Sequence, residues 1–206
     1  VDGRNDVPVA SGVLLNRTGV DGVAIPPVDV SGSFSDPDSG ATLTYSAGGT
    51  LPPGLTLDPQ TGIISGTPTA NASQGGVGGA YTVTITATDE HGASTSLTFT
   101  WTMTNPAPTA HDNDAAVRED GPLSDSGNVL TDNDGSGIDN DPDGDALRVT
   151  QVNGTAVPAI GTTTLNGQYG TLQIAASGAY TYTLHNQLAA VHALGEGDLL
   201  SDVFTY

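Results

Sequence analysis

One short stretch, DNDPDGD at residues 139–145, carries four aspartates in seven positions and no basic residue. At about 5 Å and an effective dielectric of about 20, each neighbouring pair of carboxylates repels by roughly 3 kcal/mol. Either an open, hydrated loop or a bound hard cation would offset this repulsion. Ca2+ accepts roughly six to eight oxygen ligands in irregular cages, whereas Mg2+ demands a tight octahedron. Because the chain has no Cys and no paired His, the pattern disfavours zinc and favours calcium.

The stretch matches only half of the EF-hand pattern. Residues 139–144 agree with its first six positions, but position twelve is Thr150 and not the Glu that the pattern requires. Thr150 falls in an apparent strand, ALRVTQV at 146–152, and no helical periodicity flanks the loop. We therefore predict an acidic loop between strands, in which alternate carboxylates converge as the backbone curls around Gly144.

The composition excludes several classes of function. The chain has 206 residues with 23 acidic and 4 basic side chains, a formal net charge of −19. A nucleic-acid-binding surface would need a basic patch, and anionic membranes would repel such a chain. No apolar stretch approaches about 18 residues, so membrane insertion is not expected. The absence of Cys means that a core or a metal, and not a disulfide, must stabilise the fold.

Alternation with a period of two dominates the sequence and predicts an all-β fold. In AYTVTITATD at 80–89 and SLTFTWTMT at 96–104 the apolar residues share one face and the hydroxyl residues the other, around a DEHG turn. GTLQI and AYTYTL, within residues 170–184, predict a second hairpin at Ser177-Gly178. Only NQLAAVHALGEGD, at 186–198, could form a turn or two of helix. Short strands separated by turns are typical of a β-sandwich.

The chain divides near TNPAPTAHDND at residues 104–114. The first predicted hairpin ends at Thr104, and two prolines then favour an extended linker. The composition changes at the same place, since residues 112–145 hold ten Asp and one Glu in 34 positions. We predict two domains, residues 1–105 and 106–206, each of the usual domain size.

Both halves resemble known families of β-sandwich. The stretch FSDPDSGATLTYSAGGTLPPGLTLDPQTGIISGTPT at 34–69, with TATDEHG at 86–92, resembles the cadherin-like, dystroglycan-type module with an Ig-like fold. The stretches PAPTAHDNDAAVRED, DNDPDGDALRVTQVNG, YGTLQIAASGAYTYTLHN and ALGEGDLLSDVFTY resemble the VCBS, or bacterial cadherin-like, repeat of giant RTX adhesins and biofilm proteins. The resemblance implies two tandem Ig-like or cadherin-like β-sandwich domains, commonly with calcium at their ends. Because members of the families usually continue for a few residues beyond the last strand, a final ligand could be missing after Tyr206.

In an Ig-like sandwich the N-terminal segment, the B–C loop and the F–G loop lie at one end. In the second half the acidic blocks occupy the linker at 105–119 and the loop at 132–145. We expect them to gather and to hold calcium at or near the joint between the domains, stiffening it, with Glu119 as a possible bidentate ligand. The predicted ligands in this half are Asn105, Asp112, Asp114, Glu119, Asp120, Asp132, Asp134, Asp139, Asp141, Asp143 and Asp145.

The first half repeats this arrangement with fewer acids. Its N-terminal segment, the DPD at 36–38 and the DE at 89–90 would share one end, which predicts a second calcium site. The predicted ligands there are Asp6, Asp36, Asp38 and Asp89. Asp58 begins a turn in LDPQTG, where an Asx hydrogen bond accounts for it.

Catalysis is not expected. The chain has no G-x-S-x-G, no H-E-x-x-H and no Cys nucleophile, and its four His have neither metal nor catalytic spacing. Two functions remain: a secreted, calcium-stiffened spacer of a bacterial surface adhesin, or a recognition module that binds a peptide or glycan on a target cell with the help of calcium. The spacer is favoured because most aromatic residues fall at core positions. Neighbouring domains of the same chain are the expected partners, and a monomer is expected.

Overall fold

A computed structural model of the chain describes residues 4–206, which divide into two compact units. The first unit ends at Pro106, and the second comprises Ala107–Tyr206. Both are built almost wholly from β-strands and turns, so the predicted fold class, all-β with two tandem sandwich domains, is confirmed. No helix within residues 4–206 is long and apolar enough to cross a lipid bilayer.

Nine strands form the described part of the first unit, residues 4–106. They are β1 (Val9–Ala10), β2 (Arg17–Val20), β3 (Val28–Asp29), β4 (Phe34–Ser35), β5 (Thr44–Gly49), β6 (Leu55–Leu57), β7 (Ile63–Gly66), β8 (Ala80–Thr88) and β9 (Ser94–Thr104), with short 3-10 helices at Ser31–Ser33 and Ala72–Gln74. The order β2-β9-β8-β5 makes a four-stranded sheet, in which β2 runs parallel to β9. The order β3-β7-β6 makes a three-stranded sheet, and β1 pairs with β4.

The predicted hairpin is the centre of this unit. β8 and β9 pair antiparallel along their whole length, and Tyr81 lies opposite Trp101 in the register. The apolar face predicted from the alternation is buried except at Leu97, which is partly buried, whereas the Thr and Ser residues that alternate with it form the outer face. The core consists of Val30, Phe34, Tyr45, Leu55, Ile64, Ala72, Tyr81, Val83, Ile85, Ala87, Phe99, Trp101 and Met103.

Six strands and one helical turn form the second unit. They are β10 (Ser124–Asn128), β11 (Gln151–Val152), β12 (Thr155–Ala156), β13 (Thr162–Asn166), β14 (Gly170–Ala175), β15 (Ala179–Leu184) and α1 (Ala189–His192). The order β10-β15-β14-β13 makes an antiparallel sheet, and β11 pairs with β12. The hairpin β14–β15 turns at Ser177-Gly178, as predicted, and α1 lies within the segment for which helix was expected.

The core of the second unit is smaller. It consists of Val129, Val149, Val152, Val157, Leu172 and Ile174, with Tyr180, Tyr182 and Phe204 packed against it. The strand predicted over residues 146–152 is wrong for most of its length, because only Gln151–Val152 pairs as a strand. Val149 still donates a backbone hydrogen bond to Ala176 O (2.9 Å), so the segment follows the sheet without forming a ladder.

Candidate metal centre

The loop at 139–145 closes around one carboxylate. Asp141 Oδ1 accepts hydrogen bonds from the backbone N–H groups of Asp143 (3.1 Å) and Asp145 (3.2 Å), and Gly144 N donates to Asp141 O (3.2 Å). Gly144 has φ +85°, a backbone conformation that strongly favours glycine. The Asp141 side chain is buried, and the turn that it holds places the Asp141 and Asp143 carboxyl groups beside each other.

Asp143 is the residue of this loop whose buried carboxylate receives no hydrogen bond from the described chain. Both of its carboxylate oxygens are buried and lack a hydrogen-bond donor among the described residues. The pKa of Asp143 is raised to about 6. The largest cause is a proton shared with the Asp141 carboxyl group, followed by burial and by the negative charges of Asp141 and Asp145. The same shared proton lowers the pKa of Asp141. Two buried acceptor oxygens without a donor are the kind of ligand that a hard cation takes.

The segment before the acidic block DND at 112–114 approaches this loop through the backbone. Thr109 and Asn140 exchange two backbone hydrogen bonds, of 2.8 and 3.0 Å. His111 N donates to Asp139 Oδ1 at 2.7 Å. The segment that leads into Asp112 therefore runs beside the acidic loop, as the sequence predicts.

The DND blocks at 112–114 and 132–134 also meet each other. Asp114 N donates to Asp134 Oδ2 at 2.9 Å, and Asp132 Oδ2 accepts a hydrogen bond from Asn128 N. The Asp132 carboxylate thus closes the turn after β10, while Asp134 lies against the N-terminal segment. The structure brings Asp114 beside Asp134, as expected.

Glu119 and Asp120 do not join this cluster, so the expectation that every acidic block gathers at one end is wrong for them. Ala116 N donates to Asp125 Oδ2 on β10 (2.9 Å) and Arg118 N donates to Pro122 O (3.2 Å), so the segment after Asp114 follows β10 away from the acidic loop. Glu119 O accepts a hydrogen bond from Asn186 Nδ2 (3.2 Å), just beyond the end of β15. Glu119 Oε2 and Asn186 Oδ1 are buried without a hydrogen-bond partner among residues 4–206, which makes a separate pair of unpaired oxygens. Asn105 follows β9 in the first unit.

The acidic end of the first unit is assembled as predicted. Asp6 N donates to Asp38 Oδ2 (2.8 Å), and Asn5 Nδ2 donates to Asp89 Oδ2 (3.0 Å). Asp89 is buried, and its pKa is lowered first by the Asn5 hydrogen bond and then by the N–H groups of its own turn, against the effect of burial. Asp36 Oδ1 accepts from Asp38 N (2.8 Å), whereas Asp36 Oδ2 is buried and has no partner in the described chain.

Neither end forms a finished cage. Across the part of the chain that the structure describes, no three His, Asp or Glu side chains are grouped so that they could hold an ion. The unpaired oxygens of Asp143 and Asp36 fit a cation in chemistry, but further carboxylates would have to turn inward around it. Asp139, Asp141 and Asp145 would do so in the second unit, and Asp6, Asp38 and Asp89 in the first.

Sequence reasoning missed the side chains that brace the second unit. Asp202 accepts four hydrogen bonds, from Gln168 N (2.7 Å), Tyr169 N (3.0 Å), Gly170 N (3.0 Å) and the Tyr182 hydroxyl (2.7 Å). Tyr206 reaches the acidic loop itself. The D-x-F-x-Y spacing of residues 202–206 was the available signal, because it places Asp202, Phe204 and Tyr206 on one face of an extended segment.

Family models match both halves of the chain. Residues 7–104 match the model described as "Putative Ig domain", and residues 105–206 match the one described as "Bacterial cadherin-like domain". The chain is a tandem of these two domain types. We call them the Ig domain and the cadherin-like domain. No curated protein matches the sequence.

Solved cadherin structures are similar to the tandem at low identity. Drosophila N-cadherin EC1-4 is 15% identical, with 90% of this chain and 42% of that chain covered, at a TM-score of 0.41. Protocadherin gamma B7 domains 1–4 are 17% identical, with 86% and 41% covered, at a TM-score of 0.39. The human desmocollin-1 ectodomain is 15% identical, with 90% and 32% covered, at a TM-score of 0.37. The chain thus spans less than half of the length of each, and the assignment of the two domains depends on the family models and the sheets.

Proposed function

We propose that the chain is a calcium-binding module of a secreted bacterial surface adhesin, in which ions stabilise the acidic ends of the two domains. Membership of a bacterial cadherin-like family supports an adhesion-type extracellular role, and Ig-like and cadherin-like domains are typically non-enzymatic. The observation that carries the proposal is Asp143, in a loop of four aspartates, whose two buried carboxylate oxygens have no hydrogen-bond donor among residues 4–206.

Electrostatics gives the reason for an ion. The chain has a formal net charge of −19, and self-repulsion of this size destabilises a compact state. Within residues 4–206 no Arg side chain lies within 4 Å of a carboxylate, and the one such contact is of His91 with Glu90, which is an ion pair only when His91 is protonated. A cation that binds only the folded chain would stabilise it by mass action. Extracellular calcium modules bind with Kd values of about 10⁻⁴ to 10⁻³ M, which suits a secreted protein.

The ligands can be assigned by domain. In the cadherin-like domain Asp143 would bind directly, with Asp139, Asp141 and Asp145 from the same loop. Asp112 and Asp114 follow His111, whose N–H donates to Asp139, and Asp134 meets that segment through Asp114 N. These residues and Asp132 would supply further oxygens or charge. In the Ig domain Asp36 would bind with Asp6, Asp38 and Asp89. Glu119 would act apart from both sets, beside Asn186.

Isothermal titration calorimetry of the 206-residue chain with calcium, and with magnesium for comparison, tests the proposal. We expect calcium to bind and magnesium to bind more weakly. Asp143→Asn with Asp145→Asn should weaken one class of sites at least tenfold. The matched control is Asp58→Asn with Asp198→Asn, which removes the same charge from exposed turns outside the acidic ends. Absence of calcium binding in the millimolar range would refute the proposal.

The stiffening of the joint is a separate part of the proposal. Small-angle scattering of the chain during a calcium titration tests it, with magnesium as the control. We expect the maximum dimension to rise with calcium only. If the scattering profile does not change although calorimetry shows calcium binding, the ions stabilise local folding and do not stiffen the joint.

A further inference from the structure

The hydroxyl of Tyr206 lies where three segments of the cadherin-like domain meet. Its oxygen is 2.9 Å from His111 O, 3.1 Å from Val129 O and 3.2 Å from Asp139 Oδ2. These groups belong to the N-terminal segment, the turn after β10 and the acidic loop. A phenol has one proton to donate, so the three acceptors compete for it.

The amide of Asn113 resolves this competition. In one orientation its oxygen faces only acceptors, so we assign the opposite one. Its Nδ2 then donates to Val129 O (2.8 Å) and approaches both His111 O (3.2 Å) and the Tyr206 hydroxyl oxygen (3.1 Å). With the two carbonyls served by Asn113, the proton of Tyr206 is free for Asp139.

Asp139 is thereby held from two directions. Its Oδ1 accepts from His111 N at 2.7 Å, and its Oδ2 lies 3.2 Å from the Tyr206 hydroxyl. The pKa of Tyr206 is raised to about 12, first by burial and then by the negative charge of Asp139 and the hydrogen bond to it. The phenol is therefore a neutral donor over the physiological pH range.

We infer that Tyr206 is a positioning residue for cation binding, because its hydroxyl proton, left free by Asn113, is donated to the Asp139 carboxylate and orients it at the start of the acidic loop. The inference rests on the proposed calcium function. It adds that ion affinity depends on a phenol from the D-x-F-x-Y segment, which carries no candidate ligand. Hydrogen-bond partners of this kind commonly change metal affinity 10–100-fold when they are removed.

Tyr182 provides a matched control within the same domain. It too donates a hydroxyl to a carboxylate, Asp202 Oδ2 at 2.7 Å, but that carboxylate accepts backbone N–H groups at 168–170, next to β14. Tyr182→Phe and Tyr206→Phe thus remove the same kind of hydrogen bond, and only the second touches the acidic loop. A role confined to folding would affect both variants alike.

The test is calcium titration calorimetry of the full chain and of four variants: Tyr206→Phe, Tyr182→Phe, Asp139→Asn and the double variant Tyr206→Phe with Asp139→Asn. We expect Tyr206→Phe to weaken calcium about tenfold or more and Tyr182→Phe to leave the affinity within about twofold of wild type. In the Asp139→Asn background the Tyr206 substitution should have little further effect, because the hydroxyl acts through Asp139.

Equal affinity of wild type and Tyr206→Phe would overturn the inference while leaving the calcium function intact. So would an equal loss in both Tyr variants. Failure of the wild-type chain to bind calcium would refute the calcium function and this inference with it. If melting shows that Tyr206→Phe does not fold, Asn113→Ala replaces it, since that change removes the amide that serves the two carbonyls, lets them compete again for the Tyr206 proton, and retains the ring. An Asn113→Ala affinity equal to wild type would then overturn the inference.

Discussion

The Tyr182 hydroxyl donates to Asp202 Oδ2 at 2.7 Å, in a place where three backbone N–H groups also converge on the same carboxylate. Burial raises the pKa of Asp202, but the Tyr182 and backbone hydrogen bonds together lower it further than burial raises it. A carboxylate with four donors fastens the D-x-F-x-Y segment to the turn before β14. This contact braces the cadherin-like domain without taking part in the candidate metal centre.

Asp202→Asn is expected to destabilise the cadherin-like domain by about 2 kcal/mol or more. The amide keeps one acceptor oxygen and turns an NH2 group towards the backbone donors, so hydrogen bonds to a charged group are lost. Thermal unfolding followed by calorimetry should show a lower transition for the cadherin-like domain and an unchanged one for the Ig domain. Asp198→Asn, in an exposed turn with one local hydrogen bond from Gly195 N, is the control and should move neither transition by more than a degree or two. Equal melting of wild type and Asp202→Asn would contradict this account.

Calcium is expected to raise the melting temperature of both domains. With Kd values of about 10⁻⁴ to 10⁻³ M, 5 mM calcium would stabilise a folded domain by about 1–2.3 kcal/mol. Differential scanning calorimetry in EDTA and in 5 mM calcium measures the shift. Identical melting curves in EDTA and in calcium would show that calcium does not stabilise the folded domains. An equal shift in 5 mM magnesium would show that the stabilisation is not selective for calcium.

Acidification is expected to stabilise the cadherin-like domain in the absence of calcium. The pKa of Asp143 in the folded state, about 6, is above the ordinary value of 3.8, so the folded chain binds a proton more tightly than the unfolded chain. As pH rises from about 4 through 6, the folded state must carry the unfavourable charge and loses stability. In EDTA the melting temperature of this domain should therefore be higher at pH 5 than at pH 7.5.

Asp143→Asn provides the check on this pH dependence. The substitution removes the titrating group, so most of the difference between pH 5 and pH 7.5 should disappear. Calcium should also reduce the difference in the wild-type chain, because an ion neutralises the loop without a proton. If the pH dependence persists unchanged in Asp143→Asn, other carboxylates are responsible for it.

Glu119→Gln is expected to leave calcium affinity at the 139–145 loop within about twofold of wild type. Glu119 lies beside Asn186 at the other end of the sheet, where it cannot contribute a ligand to that loop. Calcium titration calorimetry of Glu119→Gln and of Asp143→Asn compares the contributions of the two residues to calcium affinity at the loop. A loss of loop affinity in Glu119→Gln as large as that in Asp143→Asn would show that the acidic blocks act as one site.

A core substitution should show that the two domains unfold separately. Ile85 is fully buried between the sheets of the Ig domain, so Ile85→Ala should lower the stability of that domain by about 2–5 kcal/mol. The transition of the cadherin-like domain should not change, because Ile85 belongs to the other core. A parallel fall of both transitions would show that the domains fold as one cooperative unit.

The sequence alone determined the strands that alternate regularly. In residues 80–104 the apolar and hydroxyl side chains repeat with a period of two, and a register error would expose the entire core face of the hairpin, so one pairing is strongly preferred. The hairpin at 170–184 and the helical turn at 189–192 were predictable for similarly local reasons. The turn around Asp141 was predictable as well, because Asp and Gly at this spacing specify it through short-range hydrogen bonds.

The tertiary structure decided which distant groups meet. Glu119 follows Asp114 by only five residues, yet an extended segment carries it along the sheet to the opposite end. No local sequence pattern predicts how far Glu119 lies from the acidic loop. Strand pairing was also overestimated at 146–152, where one backbone hydrogen bond to Ala176 replaces the expected ladder. The contact of Tyr206 with Asp139 spans 67 residues and depends on how three segments pack. Such contacts arise from the folded path of the chain, whereas the strands and turns follow from preferences that each short stretch already carries.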